Sequence, residues 1–365
     1  MEGIQVQRLD HLGIIAGTIK ELKIIEMIDE RIPTDEQESI SCGEAIAGMI
    51  LNGLGFSQRP VSLTPQFFEN KPLELLFRPG VKAEHFNRFK LGRSLDDTYE
   101  YGNEALFSEI ALAACRMKGV NLRFNHLDTT SLSVTGEYLP DSDEAAVLLT
   151  HGYSKDHRPD LKQIVQELIV SQDGGIPWLS QSWSGNTSDN EVFRTRCEAL
   201  LKSFQNSPSP RYVVMDSKGY CESNAENLKH LGFIVAVPAT LSLYDQLIQQ
   251  SFKGSWTPLE ETYEVQSFEL CHFGFAQRWL VIHSQQAAER ARQTVDKQIK
   301  REKQALEKQL LHLQAKRFAS RQEALDALQE ITLSWKLHQL QNQEILEHPR
   351  YAKRGKPKTG TPAQT

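Results

Sequence analysis

The 365-residue chain is poor in the features that announce several common chemistries. It has only 5 cysteines, Cys42, Cys115, Cys197, Cys221 and Cys271, and none is two residues from another. Neither a zinc ribbon nor a disulfide framework fits that scatter, and an odd number suits reduced thiols. No run approaches ~18 consecutive apolar residues, which excludes a membrane-spanning helix. The opening Met1-Glu-Gly-Ile-Gln5 has neither a basic nor an apolar signal region, so no secretory signal is expected and the cytoplasm is the default. The chain also lacks a GxxxxGK[ST] loop, a GxGxxG after a strand, a GxSxG elbow and an HExxH pair. Nucleotide-dependent, serine-hydrolase and zinc-peptidase readings therefore have no support.

Hydrophobic residues at 39% and charged residues at 24% are ordinary for a soluble protein. At roughly 100–200 residues per domain, two or three folded units are expected. The net charge of −6 hides an asymmetry. Residues 284–358 hold 16 Lys/Arg against 9 Asp/Glu, a net of +7, and the remainder carries −13. A basic arm on an acidic body suits contact with nucleic-acid phosphates; the alternative is a solvated helical face.

Periodicity divides the chain. Residues 1–118 read as helical, and 9–32 place Ile15, Ile19, Leu22, Ile25, Ile28 and Ile32 on one helix face. Ser41 and Glu44 have the spacing of a capping box, and Ser94-Leu-Asp-Asp97 is expected to open a third helix that ends near Gly119. From Asn121 the period becomes two. Residues 122–127 and 131–138 read as β-like runs, and 164–170 with 176–180 flank Asp173-Gly-Gly175, a strong hairpin signal. A helix over 189–204, a strand over 211–215, a helix over 223–231 and a strand over 233–237 follow. The expected architecture is α/β, a mixed five-stranded sheet with helical cover. Residues 255–283 read as further β, and 275–348 contain no Gly or Pro. Beyond His283 that stretch is helical, with Ser320 and Glu323 restarting a second helix.

Two aspartates stand out by position. Asp128 follows the apolar run to Leu127, and Asp216 follows Val213-Val-Met215. A carboxylate at the end of a buried strand is rigidly held and desolvated on one side, and such a charge needs pairing, hydrogen bonds or a metal. Two acids on neighbouring strands suit a hard divalent cation. The alternative is that each caps the turn after it, which the following Thr129 and Ser217 would suit. Lys155, His157 and Arg158 in Gly152-Tyr-Ser-Lys-Asp-His-Arg-Pro-Asp160 form a candidate phosphate grip or a polar surface loop. Asp189 or Ser188 is the N-cap candidate of the helix that follows, and Asp189 is a remote third ligand; His126, on the same strand face as Asp128, reads better as a packed or hydrogen-bonded histidine than as a ligand.

The strings His126-Leu-Asp128-Thr-Thr-Ser, Gly152-Tyr-Ser-Lys155-Asp-His157-Arg158-Pro, Ser184-Gly-Asn-Thr-Ser-Asp189 and Val213-Val-Met-Asp216-Ser-Lys-Gly together resemble bacterial insertion-sequence DDE transposases. That resemblance implies a ribonuclease-H-like core with a β-rich insertion. It implies organisation into a DNA-end-binding helical domain (1–118), catalytic core (119–240), β-rich insertion (241–283), basic amphipathic helices (284–348) and a flexible basic tail (349–365). It further implies that Asp128 and Asp216 are catalytic and hold two Mg²⁺ ions, with transposon-end and target DNA as partners and a homodimer on DNA. The family's third carboxylate, a Glu in a Tyr…Arg…Glu…Lys pattern, has no counterpart in the sequence, so a truncated copy is expected. Glu302, Glu323 and Glu330 lie in amphipathic helical sequence and none is nominated. The alternative is a non-catalytic DNA-binding protein or regulator derived from a transposase.

Overall fold

The computed structural model describes residues 6–33, 35, 37–138, 147–204, 211–344, 346 and 359. The chain divides into two units, Met1–Tyr244 and Asp245–Thr365. Apart from Thr359, the basic tail at 349–358 and 360–365 lies outside the described residues. No described helix is long and apolar enough to cross a membrane.

The first unit opens with seven helices: α1 (Leu12–Glu21), α2 (Ile24–Arg31), α3 (Cys42–Gly53), α4 (Thr64–Phe68), α5 (Leu73–Leu76), α6 (Arg88–Tyr101) and α7 (Asn103–Lys118). The apolar face expected over 9–32 belongs to two helices, because Lys23 adopts a left-handed φ of 54° and turns the chain between them. Leu12, Ala16 and Ile19 of α1 meet Ala45, Ala47 and Leu51 of α3 in a core closed by Phe67, Phe68 and Phe86. The expected capping box forms: Ser41 Oγ accepts from Glu44 N at 3.0 Å, and Glu44 Oε2 accepts from Ser41 N at 2.9 Å. Ser94 does not open a helix. It is buried within α6, whose cap is Asn87, accepting from the backbone N–H groups of Phe89 and Lys90. The expected third helix is thus α6 and α7, parted at Gly102, whose φ of 105° no helix accommodates, and ended by Gly119 in the left-handed region.

Residues 124–235 build the sheet from β1 (Phe124–Val134), β2 (Lys162–Ser171), β3 (Pro177–Ser184), β4 (Tyr212–Met215) and β5 (Gly232–Val235). The strand order is β3-β2-β1-β4-β5. β1, β2 and β3 pair antiparallel, whereas β4 and β5 run parallel to β1 and to each other. That order and sense are those of a ribonuclease-H-like core. The two β-like runs expected at 122–127 and 131–138 merge into the single strand β1, since Thr129 and Thr130 continue the ladder opposite Glu167 and Gln166. Gly174 and Gly175, both at positive φ, make the β2–β3 turn.

Helices α8 (Asp189–Phe204) and α9 (Ala225–His230) bring Val192, Phe193, Cys197, Leu200 and Leu228 into the core with Leu127, Val165, Ile169, Val213 and Met215. A polar network is buried with them. Arg196 of α8 donates to Glu167 of β2 at 2.5 and 3.1 Å, Trp183 Nε1 donates to the same carboxylate at 2.8 Å, and Arg196 also reaches Gln181 and Glu104. Burial alone would lower the pKa of this guanidinium, but the Glu167 contacts outweigh that and raise it.

The boundary between the units falls within α10 (Ser242–Ser251). In the second unit, β6 (Thr257–Glu260), β7 (Tyr263–His272) and β8 (Phe275–Ser284) form an antiparallel sheet. The 31-residue helix α11 (Gln285–Ala315) and α12 (Arg321–Thr332) follow. Ser320 Oγ accepts from Glu323 N at 3.2 Å, the restart cap expected from the sequence.

Two stability outcomes follow from close packing. A Cβ on Gly43 would stand 2.5 Å from the Ile25 carbonyl oxygen, so α2 and α3 cross at a distance only glycine permits. Gly43→Ala should therefore lower stability by about 1–3 kcal/mol in denaturant titration despite alanine's better helix propensity. Arg196→Met strands the buried Glu167 and should cost about 3–5 kcal/mol, and adding Glu167→Leu should restore much of it.

Candidate active site

Parallel pairing sets the geometry of the two aspartates. Phe124, Asn125 and His126 of β1 sit opposite Tyr212, Val213 and Val214 of β4. Carrying that register two residues onward puts Asp128 level with Asp216. Side chains alternate along both strands, with Asn125 and Leu127 buried beside Val213 and Met215. Asp128 and Asp216 therefore occupy the opposite, shared face of the sheet. Asp128 does not end its strand, as the sequence suggested; β1 runs on to Val134 because its antiparallel partner β2 continues. What ends there is the parallel ladder with β4, whose last pair is His126 and Val214.

Both carboxylates are exposed, so the one-sided desolvation expected of them is not found. The physical reason is that their face of the sheet is open among the described residues, with Thr130, Leu132 and Ile234 also exposed on the strands. Asp128 Oδ1 accepts from Thr129 N at 2.7 Å, and Asp216 Oδ1 accepts from Lys218 N at 2.9 Å, capping a 3-10 turn at Ser217–Gly219. The capping role weighed for Asp216 is thus realised, and in each residue Oδ2 makes no hydrogen bond among the described residues.

Next to this edge lies a knot of charge on Asp189, the first residue of α8, whose side chain is only 12% exposed. Asp189 accepts from Thr129 Oγ1 at 2.6 Å, binds Lys218 Nζ, and lies 3.7 Å from Lys155 Nζ. Burial pushes its carboxyl up, but the hydrogen bonds from Lys218 and Thr129 and the two ammonium charges bring it below its ordinary value of 3.8. The hydrogen bond to Asp189 in turn raises the pKa of Lys218. Asp189 is thus bound by two lysines, and Ser188 Oγ, accepting from Glu191 N at 3.3 Å, makes the side-chain cap of α8. Lys155, Lys218, Asp189, Tyr153 and Thr130 line a pocket of about 230 Å³.

The three phosphate-grip candidates separate. Lys155 is drawn onto β1, donating to the carbonyl and the hydroxyl of Thr129, and so reaches the carboxylate edge. Arg158 is clasped by Asp160 through bonds of 2.8 and 2.7 Å, which hold that carboxyl down at about 2. His157 is exposed in the same loop with a left-handed φ of 57°. The loop is pinned where two glycines meet: a Cβ on Gly152 would stand 1.9 Å from the Gly185 oxygen, and Gln163 Nε2 donates to that oxygen at 2.8 Å. His126 bonds Gln172, as a hydrogen-bonded histidine should. Lys218 was not singled out from the sequence; its signal was proximity to Asp216 in Asp-Ser-Lys-Gly.

Among the described residues, no group of three or more His, Cys, Asp or Glu side chains is arranged to hold a metal. Glu302 is committed elsewhere, accepting from Lys336 N and Leu337 N at 2.9 Å each and bonding His338 Nδ1 at 2.7 Å. Glu323 accepts from Ala319 N ahead of α12, and Glu330 is exposed on it.

Residues 4–112 match a family model described as a domain of unknown function, DUF4277. No curated protein matches the chain. Among solved structures, the chain is similar to the piggyBac transposase in a synaptic complex with hairpin DNA, at 10% identity and a TM-score of 0.30. That match covers 78% of this chain and 54% of the other, so the chain spans about half the length of that transposase. It is also similar to the Mos1 transposase in a paired-end complex with the left transposon end, at 12% identity, 67% and 85% coverage and a TM-score of 0.21. The ribonuclease-H-like fold rests on strand order and sense.

The Asp189 knot has a pH signature. Because its carboxyl is lowered on folding, its contribution to stability is complete above the ordinary aspartate range and is lost as pH falls below about 4. Thermal melts between pH 6 and pH 2.5 should fall more steeply for the unmutated chain than for Asp189→Asn.

Proposed function

We propose that the chain is a DDE-type DNA transposase of an insertion sequence, acting on DNA in the bacterial cytoplasm. The observation that supports this reading is the register of the parallel β1–β4 ladder, which, carried two residues past its last pair, His126 and Val214, brings Asp128 level with Asp216. Both residues offer hard oxygen donors with one oxygen free, on a face open enough to admit a phosphodiester. Mg²⁺ suits that donor set, since it commonly takes one or two carboxylates and completes its shell with water and substrate phosphate. When bound there, Mg²⁺ supplies Lewis acidity and lowers the pKa of water.

In this reading Asp128 and Asp216 hold the scissile phosphate's counter-charge on a rigid strand pair. Lys218, fixed by Asp189 and by the turn that Asp216 caps, presents its ammonium at the same edge to the phosphate oxygens. Lys155 braces Thr129, and with it the backbone N–H that orients the Asp128 carboxylate. Strand cleavage by water and in-line attack by the freed 3′-hydroxyl follow the reaction class, with two copies of the chain on the DNA. The third carboxylate is unassigned, because Glu302 serves its own loop.

The test is nicking of supercoiled plasmid in Mg²⁺ or Mn²⁺, with duplex binding measured in parallel. Asp128→Asn and Asp216→Asn should each lower the nicking rate at least about 100-fold, a loss of about 3 kcal/mol, while duplex affinity stays within about twofold. Equal nicking by these variants sinks the assignment. If the unmutated chain binds duplex DNA but never nicks it, the second reading stands, a non-catalytic DNA-binding protein built on the same fold.

A further inference from the structure

Helix α11 carries a feature that the carboxylate edge does not explain. At 3.6 residues per turn, Arg290, Lys297, Arg301 and Lys308, spaced by seven, four and seven, fall within about 40° of one another. The line they form is about 27 Å long. Its neighbours on that face are Gln286, Gln293, Thr294, Gln304 and His312, none of them an acid. The acids Glu289, Asp296 and Glu307 stand together about 100° to one side, and Glu302 faces the other way, bound by the chain after α12.

All four cations are exposed, and none makes an ion pair with a described residue. A helix face that is merely solvated interleaves opposite charges at i,i+4; this one sets Lys297 and Arg301, like charges, at that spacing. The free chain is thus destabilised by the arrangement, and a polyanion relieves it.

The apolar seam of α11 is on the opposite side, where Leu306 is buried and the helix packs on α12, while Val295 and Ile299 nearer the N-terminus are exposed. A membrane surface offers mobile headgroups, whereas a straight line of cations about 27 Å long fits a rigid, regularly spaced row of phosphates.

We propose that this face of α11 binds the sugar–phosphate backbone of duplex DNA without reading sequence. The proposal rests on the transposase reading only for the choice of DNA as the polyanion, and Asp128 and Asp216 take no part in it.

The test uses the full chain and a 30-base-pair duplex of arbitrary sequence, with affinity followed by fluorescence anisotropy from about 50 to 200 mM salt. Replacing Arg290, Lys297, Arg301 and Lys308 together by Gln should reduce the slope of log affinity against log salt by about 3–4. A control of equal charge, with Arg292, Lys303, Lys316 and Arg317 changed to Gln, should reduce it by less than about 1. Gln keeps helix propensity, and circular dichroism confirms that both variants retain helix. Equal losses in the two variants, no loss in the first, or a wild-type chain that binds anionic vesicles and not the duplex would each overturn the proposal. Asp128→Asn separates the two readings: nicking unaffected by it, together with the slope change, removes the transposase reading and leaves the α11 face standing.

Discussion

The parallel pairing of β1 with β4 is the constraint on which the candidate site depends. In a parallel ladder, a constant offset keeps partners level for as long as the strands stay extended. Three pairs from Phe124 to His126 set the offset that, extended two residues, brings Asp128 level with Asp216. A one-residue slip would send one carboxylate through the sheet to the buried face. Register is protected there by Asn125, which is buried, donates to the Tyr212 carbonyl at 3.4 Å and accepts from Trp178 Nε1 at 2.9 Å. A misplaced strand would strand those polar groups without partners.

Charge near the site is handled in two ways. On the open face, Asp128 and Asp216 are solvated and lightly tied, each by one backbone N–H. Around the start of α8, Asp189 is partly buried and saturated, gathering Thr129, Lys218 and Lys155 from three separate stretches of chain. Deeper in, Glu167 and Arg196 repeat the pattern with Trp183, Gln181 and Glu104. Buried ions so fully partnered favour one alignment of α8 on the sheet, because each alternative leaves a charge unpaired. The rigid part of the first unit is thus a polar scaffold as much as an apolar core, and it leaves the exposed carboxylates free to take a ligand.

Much of the architecture was legible because local chemistry speaks directly. Ser41 with Glu44, Ser320 with Glu323, and Gly174-Gly175 each specify a cap or turn within a few residues, and each forms as expected. The failures have different causes. The continuation of β1 through Thr129 and Thr130 is decided by a partner distant in sequence, β2, whereas the break at Lys23 is a left-handed backbone turn and the interior position of Ser94 follows from an earlier cap. A Ser-x-x-Asp spacing signals a helix start only if nothing upstream already supplies one, and Asn87 does. Arg158 and Lys155 looked alike in sequence; Asp160 occupies the first and Thr129 captures the second.

By itself the sequence determined the α/β class, the order of the elements, the two strand-associated aspartates and the bias of positive charge toward 284–358. These are properties of composition and short-range spacing, which a chain carries before it folds. Only the tertiary structure decided that Asp128 and Asp216 share a level and a face, that Lys218 joins them through Asp189, and that Glu302 is spent on His338 and two backbone N–H groups. Those outcomes turn on strand register and on which side chain reaches a buried charge first, and both are set by contacts between residues far apart in the chain.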